Sequence, residues 1–175
     1  VREAALYGVM GGQVNVTDGQ YVYMRGNVTE DNVPLFEYTL MPTHMKSLFT
    51  VRELSSWEKF EDFSFTKACP VMQIPSRTPQ FLLERDNPYG KGRTATLLFD
   101  VQADPGQTNP LTDAGLEMRM IKLMLHEMAR NECPSEQYVR LGLPEPLVTG
   151  AGGPDEVIEL PSEERIAAAC VLQTQ

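Results

Sequence analysis

The sequence predicts an α+β fold: a small antiparallel β-sheet of about four strands packed against a long amphipathic helix toward the C-terminal end, with extended loops between. Three observations lead there. Val14-Asn15-Val16 and Tyr21-Val22-Tyr23-Met24 are β-rich runs on either side of Thr17-Asp18-Gly19-Gln20. Asp-Gly between such runs marks a hairpin, because glycine tolerates the positive φ of a tight turn. Thr94 to Val101 (TATLLFDV) reads as a further strand, and residues 113–131 repeat apolar side chains at helical spacing.

In chain order, Gly11-Gly12 ahead of the hairpin predicts a bulge or a close approach of two backbones. The hairpin strands fall at roughly 12–17 and 20–25. Leu35 to Leu40 (LFEYTL) is the next strand. A short helix is expected within 46–60, capped by Thr50 with Glu53 three residues on, and with Leu54, Trp57 and Phe60 sharing an apolar side. From Asp62 to Gly92, proline and aromatic residues without periodicity predict a looping excursion, broken by a short strand near Val71–Ile74. Asp104-Pro105-Gly106 forces a turn after the 94–101 strand.

The 113–131 helix takes Asp113 as its N-cap. Leu116, Met120, Leu123, Met124 and Met128, with Ile121 and Leu125 alongside, form its apolar face. Arg119, Lys122, His126 and Arg130 form the solvated one. Methionine at this spacing reads as core rather than as a binding groove. Pro134 stops the helix, and Ser135–Leu141 forms another. One unit therefore spans 1–143. Prolines 144, 146, 154 and 161 and the run Gly150-Ala151-Gly152-Gly153 mark 144–175 as an acidic tail, with a last helix over Ser162–Leu172.

Size and charge bound the function. The 175 residues make about one domain, with 42% hydrophobic and 22% charged residues, as in ordinary globular chains. A formal charge of -9 argues against nucleic acid as a partner, since phosphate binding needs a basic surface. No apolar run reaches the roughly 18–20 residues that span a bilayer. Cys69, Cys133 and Cys170 are odd in number and far apart, and His44 and His126 are the only histidines. That argues against a zinc site or a disulfide framework and makes each cysteine a buried free thiol. The start at Val1, without methionine, reads as a processed chain or a piece of a longer one.

Chemical motifs are sparse. There is no G-x-S-x-G elbow, and Gly8-Val9-Met10-Gly11-Gly12 lacks the dinucleotide and P-loop patterns. Asp100 and Asp104, at a strand end and a turn, are expected to close turns with hydrogen bonds. Asn15-Val16-Thr17 and Asn27-Val28-Thr29 match the glycosylation sequon, and neither is assigned a glycan. His126 falls on the solvated helix face, whereas His44 lies in a proline-containing loop, where function concentrates. Arg77, Arg85, Lys91 and Arg93, against Glu84 and Asp86, make a basic stretch in an acidic protein. A solvated loop and an anion-facing loop are both open readings of it.

Two stretches, with a third beside them, resemble a known family. Gly11 to Arg25 (GGQVNVTDGQYVYMR) is similar to the start of the C-terminal region of bacterial arylsulfatase-like proteins, members of the alkaline-phosphatase superfamily. Leu98-Phe99-Asp100-Val101 with Asp104-Pro105-Gly106 and Asn109-Pro110-Leu111 looks like an element near the end of many sulfatases. Leu40-Met41-Pro42-Thr43-His44-Met45 has the flavour of the same subgroup, and the likeness covers roughly residues 1–143.

The resemblance implies a C-terminal subdomain that completes a sulfatase-like sulfuric ester hydrolase and lines its substrate cleft, with an N-terminal catalytic domain as its partner. It also implies formylglycine and calcium chemistry housed in that other domain, so no catalytic residue, cofactor or metal ligand is assigned to this chain. Gln13, Asn15, His44, Arg77 and Arg93 are the candidates for the cleft. Gln13 departs from the family pattern, which carries histidine after Gly-Gly, so an amide stands where an imidazole would move protons. Gln73-Ile74-Pro75-Ser76-Arg77 differs by one residue from the C-x-P-S-R sequence converted to formylglycine. It lacks an oxidisable nucleophile and a strand-to-helix framework, so the match is coincidence. Two alternatives are a non-catalytic module that dimerises or binds carbohydrate, and part of a phosphonate or phosphodiester hydrolase of the same superfamily.

Overall fold

The computed structural model describes residues 2–41, 43–44, 47–61, 63–77, 95–150 and 157–171. In chain order the elements are β1 (Ala5–Gly8), β2 (Val14–Thr17), β3 (Tyr21–Arg25), β4 (Phe36–Thr39), α1 (Val51–Leu54), β5 (Glu58–Phe60), a 3-10 turn (Ser64–Thr66), β6 (Val71–Pro75), β7 (Leu97–Asp100), α2 (Ala114–Arg130), α3 (Ser135–Leu141), β8 (Leu147–Thr149), β9 (Val157–Glu159) and α4 (Glu163–Val171).

The Asp-Gly turn forms as its residues dictate. Gly19 sits at φ +95°, and the Asp18 carboxylate accepts the backbone N–H groups of Gln20 and Tyr21 at 3.0 and 2.7 Å. The turn sets the register Val16↔Tyr23, and the sheet extends on both sides in the antiparallel order β1-β2-β3-β7. β1 is a strand the sequence pattern does not announce. Its four residues do not alternate, and only pairing with β2 makes them a strand. Gly8 is the position of close approach there: a Cβ on it would lie 2.7 Å from the Gln13 carbonyl oxygen. Gly11-Gly12, expected as that approach or a bulge, instead forms the β1–β2 turn, with Gly11 at φ +72° and Gly12 N–H donating to Val9 O at 2.9 Å.

One face of this sheet meets α2. Val16, Tyr23 and Leu98 pack with Met120, Ile121, Met124, Leu125 and Met128, all buried. Burying one such side chain contributes roughly 1.5–3 kcal/mol, which makes this seam the main stabiliser of the domain. The Asp113 carboxylate caps α2 through Leu116 N–H at 2.9 Å, and Gly142 ends α3 in the left-handed conformation.

Two expectations change. The 36–39 strand does not join the hairpin sheet; with β6 and β5 it builds a second sheet in the order β4-β6-β5. The helix expected within 46–60 is one turn long, and its proposed apolar side dissolves: Phe60 belongs to β5, and Leu54 and Trp57 are exposed. Four residues cannot present a three-position apolar stripe, so the capping box alone defines α1. Its Thr50 side chain accepts Glu53 N–H, and the Glu53 carboxylate accepts Thr50 N–H. Tyr38, Phe60 and Phe63 supply the second sheet's packing, edge to face at 4.9 and 5.5 Å around Tyr38.

Three buried polar groups join the parts. Arg25 donates to the carbonyls of Leu141 and Gly142 at 2.9 and 3.1 Å and to Tyr23 Oη at 3.1 Å. Arg140 donates to Gly12 O at 3.1 Å and Asn32 Oδ1 at 3.0 Å, while Asn32 Nδ2 donates to Gly11 O at 2.8 Å. The stretch read as a tail carries the β8–β9 hairpin and α4, whose Ile166 is fully buried in the main core. All three cysteines are free thiols. Against expectation none is fully buried: Cys133 and Cys170 are half-buried, and Cys69 is exposed because the turn following the 3-10 segment carries it outward.

Candidate functional site

Ser76 N–H donates to Leu35 O at 2.8 Å, extending the β4–β6 pairing and directing Arg77 off the end of β6. Beside it stands α1, fixed by its capping box. His44, in the loop between β4 and α1, bridges the two elements: Nε2 lies 2.9 Å from Glu53 Oε1, and Nδ1 lies 3.4 Å from Glu37 Oε1 on β4. Its ring rests against Phe49, centroids 4.2 Å apart. Together these groups line a cavity of about 660 Å³, with Arg52, Ser56, Pro75, Ser76 and Arg77 completing the wall.

The protonation states follow from the contacts. A neutral imidazole has one N–H, so it can donate to only one carboxylate; both carboxylates are satisfied only by the imidazolium. The Glu53 contact, reinforced by Glu37, raises the His44 pKa above its ordinary value. The Thr50 backbone N–H and hydroxyl, then His44, hold Glu53 down to about 2. In its protonated form His44 ties α1 to β4, with both nitrogens engaged. It acts here as a source of positive charge and an organiser, not as a free base.

Of the residues singled out from sequence, His44 and Arg77 thus meet in one cavity. Gln13 lines a different one, an apolar groove of about 710 Å³ between the β1–β2 turn and the second sheet. Its Nε2 donates to Ala95 O, which ties the β1–β2 turn to the chain leading into β7. Asn15 pairs across the sheet with Tyr7 and Met24, on the face away from α2, and its Oδ1 is buried without a hydrogen-bond partner among the described residues. Arg93, with Arg85 and Lys91, lies outside the described residues. Met10, held out by the Gly11-Gly12 turn that Arg140 and Asn32 brace, lines both cavities.

Sequence reasoning passed over Arg52 and Glu37 as site residues and read Glu53 only as a cap. The capping box located Glu53 and, next to it, Arg52. Nothing local tells that β6 returns Arg77 to the same place. Gln73, first residue of the QIPSR stretch, lies within β6 and donates to Tyr38 Oη at 2.8 Å. His126 is exposed on α2, as its place in the pattern requires.

No three His, Cys, Asp or Glu side chains among the described residues converge to hold a metal ion. Asp100 accepts Gln102 and Ala103 N–H, both at 2.9 Å, and Asp104 accepts Thr108 and Asn109 N–H, both at 2.7 Å. They close turns, as their positions suggest. Among the described residues no such carboxylate cluster offers a donor set for the calcium that the resemblance implies. No helix described is long and apolar enough to cross a membrane. Compared with known protein families, curated proteins and solved structures, the chain matches none.

Proposed function

We propose that this chain is the C-terminal subdomain of a sulfatase-like sulfuric ester hydrolase, completing the fold and walling one side of the substrate cleft. The catalytic groups sit in a separate N-terminal domain. The observation that carries the reading is the meeting of His44 and Arg77, from segments 33 residues apart, in one cavity that Met10 also lines, next to Gly11, where the sulfatase-like stretch begins. A cleft wall for an anionic ester needs fixed positive charge and neutral donors, and this cavity offers both. Purified chain assayed with an aryl sulfate is expected to show no turnover, since no activated nucleophile stands among the described residues; turnover above background refutes the division of labour. Reading the parent gene for a C-x-P-x-R or S-x-P-x-R sequence upstream of Val1 tests the family itself, and absence of both overturns it.

A second reading, a dimerisation module, draws on the apolar rim of the larger groove. Tyr7, Val9, Met10, Leu40, Met41 and Phe65 are all exposed there. Light scattering decides: a monomer at high concentration rules it out.

A further inference from the structure

We infer that the cavity of His44, Arg52 and Arg77 binds the singly charged oxyanion group of a small organic ligand, a sulfate ester or a carboxylate. This deepens the cleft-wall reading and rests on it for its place in an enzyme.

Three facts converge. First, Arg52 and Arg77 both line the cavity, and neither guanidinium has a hydrogen-bond or ion-pair partner among the described residues. Guanidinium groups ordinarily pair with carboxylates, and two carboxylates line the same cavity. Those carboxylates are spoken for: Glu53 accepts from Thr50 and His44, and Glu37 faces His44 Nδ1. Second, among the described residues the lining charges are Arg52 and Arg77 with His44, which as the imidazolium meets a carboxylate at each ring nitrogen, against Glu37 and Glu53; that leaves one positive charge in excess, in a chain that carries -9 overall. A monoanion neutralises the site. The second charge of a phosphate monoester would stand uncompensated beside Glu37 and Glu53, where like charges repel. Third, Ser56 and Ser76 bring neutral hydroxyl donors to the same wall, and the volume of about 660 Å³ exceeds what a bare ion fills. Cavities of roughly 300–1,000 Å³ hold small organic molecules. The anionic group pairs with the guanidinium forks, and the ligand's uncharged part lies toward Met10.

The test uses the whole chain and NMR of the arginine Nε–H and histidine ring signals, with methyl sulfate, acetate and phenyl phosphate as separate probes at about pH 7.5, where the phosphate is a dianion. Saturable shifts at Arg52, Arg77 and His44 are expected with a monoanion; which of the two binds more tightly identifies the source of the charge. Phenyl phosphate is expected to bind several-fold more weakly. The double variant R52Q/R77Q should weaken monoanion binding at least about tenfold. Both side chains are exposed, so the variant folds, which an unchanged amide spectrum verifies. R52K/R77K, which keeps charge without the fork, should recover part of the affinity. No saturable shift with either monoanion, equal binding by R52Q/R77Q, or tighter binding of the dianion overturns the inference. Because binding is read without turnover, these outcomes are distinct from the parent-gene test of the sulfatase reading.

Discussion

Replacing Arg25 by methionine removes the side chain that locks the hairpin to the end of α3. The side chain is 1% exposed and has no carboxylate partner among the described residues; it makes three hydrogen bonds to oxygen, to Leu141 O, Gly142 O and Tyr23 Oη at 2.9, 3.1 and 3.1 Å, beside a weaker one to Cys170 Sγ at 3.6 Å. A hydrogen bond from a charged group contributes about 1.5–3 kcal/mol, so three of them set a gross loss of roughly 5–9 kcal/mol. Against this, the folded state no longer desolvates a cation, which returns several kcal/mol. Tyr23 Oη also keeps its own bond to Glu117 at 3.1 Å, which places its share at the low end. The expected net destabilisation is about 3 kcal/mol, a large fraction of the roughly 5–15 kcal/mol of a typical domain. Urea unfolding followed by far-ultraviolet circular dichroism measures it. Arg25→Lys keeps the charge but cannot span both carbonyls, so it should recover only part of the loss. R25M as stable as the parent, or more so, would show that desolvation outweighs the three bonds and would refute this account of how the hairpin is anchored.

Three further outcomes are expected. His44 titrates above its ordinary 6.5, so its stabilising contribution is fully present below 6.5 and fades as pH rises through the raised value; the stability gap between the parent and His44→Gln should narrow over that range, and a gap that widens with pH contradicts the bridge. Gly8→Ala puts a Cβ 2.7 Å from a backbone oxygen, and overpacking of this kind costs about 1–3 kcal/mol; an unchanged urea midpoint would place Gly8 elsewhere. In native conditions a thiol reagent should modify Cys69 quickly, because it is exposed, and Cys133 slowly, because burial pushes its thiol up to about 12; equal rates, followed by peptide mapping, would contradict the placement of one of them.

Local chemistry made much of the fold legible in advance. Asp-Gly specified the β2–β3 turn, Asp113 and the methionine spacing specified α2 and its buried face, and Pro134 separated α2 from α3. Thr50 and Glu53 specified the start of α1 but not its length, since a capping box acts on the first turn alone. The site was half legible. His44 stood out by its loop and Arg77 by its basic neighbourhood, yet Arg52 looked like any exposed helix residue, and Glu37 like the polar position of an alternating strand.

By itself, then, the amino-acid sequence determined those features that depend on neighbours within a few residues: the turn residues, the caps, the periodic faces, and the excess of acid over base. Only the tertiary structure decided which strands share a sheet, that Ala5–Gly8 is a strand at all, and that Phe36–Thr39 leaves the hairpin to pair with Val71–Pro75. The physical reason is that strand pairing and charge compensation are settled between segments distant in the chain. An arginine's local sequence says that it is charged; that Arg52 and Arg77 have no partner among the described residues, and that His44 has two, is decided only once β4, α1 and β6 are brought side by side.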